Sequence, residues 1–474
     1  MSAVGSVEGT SGQRATVRVV LIAAAAALGG FLFGMDTAVI NGAVDAVRAG
    51  FGLNAGQIGF AVSCALLGSA VGAWYAGPLA DRWGRVRSMQ VAAALLAVSA
   101  LGSGLVHGVW DLVLWRLVGG TGVGMASVIA PAYIAEVSPA AIRGRLGSMQ
   151  QLAIVLGIFA ALLSDAWLAG AAGGAEKTLW LGLEAWRWMF LAAVVPALVY
   201  GTVVLGVPES PRYLVARGRL AEAKAVLREV LDLGDEIALD SKLSDIGHSL
   251  RMEHRPRLRD LRGKCAGLLP VVWIGIALSV FQQFVGINVI FYYSSTLWHS
   301  VGFSEADSFS ITVVTSVVNV LVTLVAIALV DRIGRKPLLA TGSAGMAITL
   351  ALMAWCFSQA TGSGATLALP HGVGTVALVA ANAYVVFFGV SWGPVVWVLL
   401  GEMFPNGIRA IALAVAASAQ WLANFAITSS FPALAELGLP FAYGLYAAFA
   451  LLSFLFVLGA VRETRGIELE DMRT

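Results

Sequence analysis

The sequence predicts an all-α membrane protein, with twelve transmembrane helices in two pseudo-symmetric six-helix bundles and a helical segment between them. Three observations predict it. Of 474 residues, 58% are hydrophobic and only 12% charged, about half the charge of a soluble chain. Twelve apolar runs reach the roughly 20 residues that a helix needs to cross a bilayer core. Three signatures built from acids, arginines and glycines also recur, in the same order, in the two halves.

The first run, near 17–40, follows a short polar tail with Arg14 and Arg18 and is long enough to span rather than to be cleaved as a signal peptide. Five more lie near 57–80, 86–106, 110–133, 146–170 and 184–206. A second set lies near 266–298, 306–330, 337–359, 373–401, 408–431 and 439–461. The 54 glycines suit helices that pack closely in lipid, because small residues let backbones approach. Between the sets, from Glu209 to about Lys264, charges alternate with Leu, Ala and Val, as in RLAEAKAVLREVLDL. That pattern predicts short amphipathic helices at a membrane face. The resulting division is 1–207, an amino-terminal bundle; 208–265, a helical linker; and 266–474, a carboxyl-terminal bundle with a short tail.

Charge orients the helices. With the amino terminus cytoplasmic, 26 of the 30 Lys and Arg fall in the tails, the linker and the loops on that side. Arg48, Lys177 and Arg187 fall on the other side, and Arg116 lies inside the fourth span. This asymmetry predicts cytoplasmic termini.

The repeated signatures sit at predicted cytoplasmic helix ends. Asp81, Arg82, Gly84 and Arg85 are echoed by Asp331, Arg332, Gly334 and Arg335, and Glu136 with Arg143 by Glu402 with Arg409. Glu209 and Arg212 are echoed more loosely by Glu463 and Arg465. Halves that share topology are related by an axis along the membrane normal. Acids beside arginines at helix ends can pair and part as helices move, which marks these clusters as a candidate cytoplasmic gate, the alternative being that they anchor the spans at the interface and set topology.

Two polar groups stand inside the membrane. Asp36, in FLFGMDTAVING, and Arg116 lie at similar depth, so a buried pair is expected. Desolvation disfavours a charged carboxylate and a nearby arginine favours it, a balance that suits proton coupling. The seventh span, FQQFVGINVIFYY, carries Gln282, Gln283, Asn288, Tyr292 and Tyr293. Gln283 and Asn288 lie about 140° apart on a straight helix, and a break at Gly286 would gather them. Gln151, Asn319, Gln420 and Asn424 add amides on other spans, and Trp397, after a Gly393-Pro394 break, offers an apolar plate, with Trp392 and Trp421 as weaker plates. Amides donate and accept at once, as polyol hydroxyls do, so an uncharged polyhydroxy ligand is expected.

A net charge of +2 gives no reason to expect nucleic acid. Cys64, Cys265 and Cys356, and the five dispersed histidines, have no metal-ligand spacing. No nucleophile–base arrangement stands out. Neither a cofactor, a metal nor enzymatic activity is expected.

Taken together, GGFLFGMDTAVING, GPLADRWGR, RLVGGTGVGMASVIAPAYIAEVSPAAIRG, PESPRYL, QQFVGINVIFYY, VDRIGRKPL and GEMFPNGIRA resemble the sugar porters of the major facilitator superfamily over nearly the whole chain. The resemblance implies the major facilitator fold and alternating access to a central sugar site. It implies sugar contacts at Gln151, Gln282, Gln283, Asn288, Asn319, Trp397, Gln420 and Asn424, and matches Asp36 and Arg116 to the pair used by bacterial proton symporters. Ile158 stands where the family's xylose–proton symporter has glutamine and its glucose carriers isoleucine, which favours D-glucose over xylose or galactose. The tail signature PETKG reads RETRG here. The expected partners are a monosaccharide, protons and the lipid bilayer, and the expected assembly is a monomer. A polyol or inositol symporter, a facilitative uniporter and a membrane sugar sensor are the alternatives. Arginine outnumbers lysine 25 to 5 and no Asn-x-Ser/Thr sequon occurs, which points to a bacterial inner membrane.

Overall fold

A computed structural model describes residues 5–139, 143–231, 236–252, 258–263, 266–361, 368–370, 372–405 and 408–463. Among them are twelve helices long and apolar enough to cross a membrane. Spans 1 to 6 are Val17–Gly50, Ala55–Trp83, Arg85–Gly104, Val109–Val137, Leu146–Ala172 and Ala185–Leu205; spans 7 to 12 are Pro270–Ser300, Glu305–Ala326, Arg335–Ser358, Val373–Met403, Ile411–Leu437 and Leu439–Ala460. Large apolar side chains such as Trp74, Tyr75, Trp110, Leu198 and Leu451 are exposed on them, as a lipid-facing surface requires. The linker carries the helices Pro211–Ala216, Leu220–Leu231 and Glu236–Met252.

The two halves pack alike. Spans 1 and 5, 2 and 4, and 3 and 6 are paired in the first half, and 7 and 11, 8 and 10, and 9 and 12 in the second. Spans 2 and 11 on one flank, and 5 and 8 on the other, join the halves. The end of the bundle bearing the linker helices is called the linker end below, and the opposite one the far end.

Span 1 continues ten residues past the predicted limit of 40. A turn at Val39 separates Gly5–Ala38 from Ile40–Gly50, whose Asn41, Asp45 and Arg48 lower the hydropathy without ending the helix. Span 7 breaks where predicted, into Pro270–Phe284 and Ile287–Ser300 around Gly286 at φ 85°. Span 10 breaks at Ser391 (φ −120°, ψ −86°), two residues before the expected Gly393-Pro394. A proline at the third position of a new helix needs no amide partner there.

Contacts between the halves close the far end. Arg48 Nη2 pairs with Glu436 at 2.9 Å, Asn41 Nδ2 donates to the Phe291 carbonyl at 2.9 Å, and Ser295 Oγ donates to the Asn41 carbonyl at 2.8 Å. Thr296 Oγ1 donates to Asp45 at 3.0 Å, and the Ala175 amide to Glu305 at 2.8 Å. Asp45, Arg48, Tyr293, Thr296 and Glu436 help to line a cavity of about 470 Å³ there.

Gly286 sets the span 7 break. A left-handed φ costs an L-residue about 1–2 kcal/mol, and a methyl group here would also meet the Tyr446 ring at 2.7 Å. Gly286→Ala is therefore expected to lower the thermal unfolding midpoint in detergent by several degrees and to reduce solute uptake. An unchanged midpoint would contradict this reading of the break.

Candidate functional site

Span 4 brings Arg116 (2% exposed) to Asp36 (7% exposed) on span 1. Its Nη1 donates to the Asp36 main-chain carbonyl at 2.8 Å and to carboxylate Oδ2 at 3.3 Å. One nitrogen thus serves both, and the closer bond is to the carbonyl. Guanidinium Nε has no partner. The pair faces the other half: the Tyr292 hydroxyl on span 7 lies between Thr37, next to Asp36, and Asn424 on span 11, within the field of both charges.

The break at Gly286 gathers the span 7 amides. Asn288 Nδ2 donates to Gln283 Oε1 at 2.6 Å, Gln283 Nε2 to Gln282 Oε1 at 3.4 Å, and Gln282 Nε2 to the Trp392 and Gly393 carbonyls at 2.8 and 3.3 Å. This relay ends on carbonyls in the first turn of Trp392–Met403. Asn319 is buried on span 8, and Asn424 Oδ1 accepts from Thr428 at 3.1 Å. Gln420 on span 11 keeps a buried Oε1 without a partner.

The aromatic plates separate by environment. Trp397 is 43% exposed. Trp392 is fully buried and donates to the Leu339 carbonyl at 3.1 Å and to Ser343 at 2.8 Å, which makes it a core residue. Trp421 packs across the halves on Phe33 of span 1, with ring centroids 5.7 Å apart. On span 5, Gln151 and Ile158 are half-buried. Its neighbour Gln150 is buried with neither amide atom bonded. Asn382 on span 10 also keeps a buried Oδ1 without a partner. Sequence reasoning passed over both, and also Asp165 on span 5, which is 0% exposed.

At the linker end the two halves build the same lattice. Arg85 grips Glu136 through Nε at 3.1 Å and Nη2 at 2.9 Å, and Arg335 grips Glu402 through the same atoms at 3.1 and 2.8 Å. Each arginine begins a helix after a glycine of positive φ, Gly84 at 96° and Gly334 at 107°. A second acid covers each helix start. Glu209 accepts the Arg85 amide at 2.9 Å, and Glu463 accepts the Arg335 and Lys336 amides, both at 3.0 Å. Glu463 thus occupies the place of Glu209 although the proline before it is lost. These braces join helices within one half.

Other members of the signatures are peripheral to the lattice. Asp81 is exposed and 3.3 Å from Arg85, and Arg82 is exposed with its carbonyl accepting from Arg217 at 2.5 Å. Arg332 is exposed, Arg212 lies in the first turn of Pro211–Ala216, and Arg409 donates to the Phe404 carbonyl at 3.1 Å. The side chains of Arg143 and Asp331, and all of Arg465, lie outside the described residues. Among the described residues no group of three or more His, Cys, Asp or Glu could hold a metal.

Glu402→Gln is expected to destabilise the second half by about 1–3 kcal/mol, since it weakens a charged bidentate bond. Glu463→Gln is expected to cost about 1 kcal/mol, the scale of a helix cap. Thermal unfolding of both variants checks the order, and a larger loss for Glu463→Gln would reverse the ranking.

Comparison with known proteins places the chain. The family model described as sugar (and other) transporter matches residues 22–474. A glucose transport protein of Synechocystis sp. is 56% identical over 96% of this chain and 97% of that protein. A D-xylose-proton symporter of Escherichia coli is 37% identical over 94% and 93%. Among solved structures, the E. coli xylose transporter matches in its inward-open conformation with a TM-score of 0.80, at 36% identity over 96% of this chain and 99% of that one. A partially occluded inward-open form matches with a TM-score of 0.81, at 36% identity over 95% and 99%. The chain belongs to the sugar transporter family of the major facilitator superfamily.

Proposed function

We propose that this sugar porter imports a monosaccharide, D-glucose foremost, together with a proton across a bacterial inner membrane by alternating access. The observation that carries the reading is the buried Asp36–Arg116 pair, which shares Tyr292 and Asn424 with the amide-lined interior. Likeness to a glucose transport protein and to a D-xylose-proton symporter supports both halves of it. Isoleucine at 158 favours glucose over xylose.

The proton step follows from the geometry at Asp36. Protonating its carboxyl takes away the charge that the longer arginine bond meets and weakens that bond, while the 2.8 Å bond to the carbonyl remains, so Arg116 stays anchored as the charge beside Tyr292 changes. Tyr292 and Asn424 belong to the other half, so proton occupancy bears on the contact between halves that must part. Sugar hydroxyls replace water on Gln151, Asn319, Gln420, Asn424 and the Gln282–Gln283–Asn288 relay, while Trp397 meets the ring's C–H face.

The linker end is taken as cytoplasmic, in keeping with its Lys and Arg. The contacts of Arg48, Asn41 and Asp45 then seal the outer end, and the chain is inward-facing. The Arg85–Glu136 and Arg335–Glu402 braces keep each half rigid as the two rock.

Uptake of labelled glucose into proteoliposomes tests the reading. An inside-alkaline gradient is expected to drive accumulation above equilibrium, with xylose and galactose competing less well than unlabelled glucose and inositol least. Asp36→Asn is expected to abolish accumulation while keeping sugar exchange within several-fold of the parent. Accumulation retained by Asp36→Asn would contradict the coupling role, and uptake that stops at equilibrium with or without the gradient would indicate uniport.

A further inference from the structure

We infer that Asp165 of span 5 is a second proton-binding site, separate from the Asp36–Arg116 pair and occupied by a proton in the conformation described here. The side chain is 0% exposed, and neither carboxyl oxygen makes a hydrogen bond of normal geometry. It lies against Gly42 of Ile40–Gly50 in span 1. A methyl group on Gly42 would meet Asp165 Oδ2 at 2.9 Å and Met189 Sδ of span 6 at 2.7 Å. The carboxyl is therefore pressed onto bare backbone.

The charged groups on the elements around it are engaged elsewhere. On span 1, Asp36 holds Arg116, Asp45 accepts from Thr296 and lies 3.8 Å from His299, and Arg48 holds Glu436. On span 6, Arg187 holds Glu184 at 2.5 Å. On span 8, Glu305 accepts the Ala175 amide and Asp307 accepts from Ser304. Arg143 and Arg145 start the span 5 helix some 20 residues earlier, about 30 Å away along the axis. A buried ion with neither counter-ion nor hydrogen bonds is so unfavourable that proteins neutralise the group instead.

The outer end of span 1 supplies the exchange route. On the proposed orientation, Asn41 and Asp45 meet span 7 at the closed outer end, and opening that end breaks those contacts and wets this face of span 1. Gly42, which carries no side chain, then stands between Asp165 and that water. The acid can lose its O–H proton to that water and remain as a carboxylate that the same water solvates. The bond that forms and breaks is O–H, and the proton comes from and returns to outer water.

Infrared spectroscopy of the full chain in lipid tests the inference without depending on transport. The carbonyl stretch of a protonated carboxylic acid is expected in the parent and in Asp36→Asn, to persist as pH is raised past the ordinary carboxylate range, and to vanish in Asp165→Asn. Because the amide is an uncharged isostere of the protonated acid, Asp165→Asn is expected to fold with an unfolding midpoint close to the parent's. A spectrum that Asp165→Asn leaves unchanged overturns the assignment. So does failure of that variant to fold, since it would mean that a charged carboxylate is needed.

Discussion

A guanidinium buried inside the bilayer has few ways to be tolerated, and the placement of Arg116 organises the amino-terminal half. Its charge is balanced by Asp36, and its Nη1 donates to both the carboxylate and the main-chain carbonyl of that residue. Both bonds come from one nitrogen, so the pair can lose its carboxylate contact without releasing the arginine. A symmetric bidentate pair would be far harder to open, because both bonds would be surrendered together. The asymmetry makes the carboxyl, rather than the arginine, the movable charge.

The same residue types serve a different purpose at the linker end. There the acid–arginine contacts are bidentate, repeated in both halves and braced by a second acid on each helix start. Rigid halves are what rocking-type access requires, and the joints between them run through spans 2, 11, 5 and 8. The division of labour is then spatial. On the proposed mechanism, proton chemistry lies with spans 1, 4 and 5 in the first half, while most amides lie in the second and Tyr292 with Asn424 forms the seam.

Much of this was legible in the residues, for identifiable physical reasons. Charges inside apolar runs are rare, so Asp36 and Arg116 stood out, and the amides flanking Gly286 implied the break that assembles them. Hydropathy was less informative at Asn41, Asp45 and Arg48, whose polarity reads as a loop although the other half covers it. Asp165, near the end of its run, reads as interfacial until the packing of Gly42 and Met189 shows it sealed. Gln150 and Gln151 are indistinguishable by composition, and only the rotation of span 5 separates the buried one from its half-buried neighbour. The tail signature has lost its proline, yet the cap on Arg335 and Lys336 needs only the Glu463 carboxylate.

The most direct measurement of the central claim is the reversal potential of sugar-driven current in proteoliposomes with a fixed sugar gradient. If a proton accompanies each sugar, the potential at which current vanishes moves with the imposed pH difference as it would for a neutral solute carried with one positive charge. A sugar flux that carries no current, and is indifferent to pH difference and voltage alike, would contradict the account and leave the Asp36–Arg116 pair a static strut.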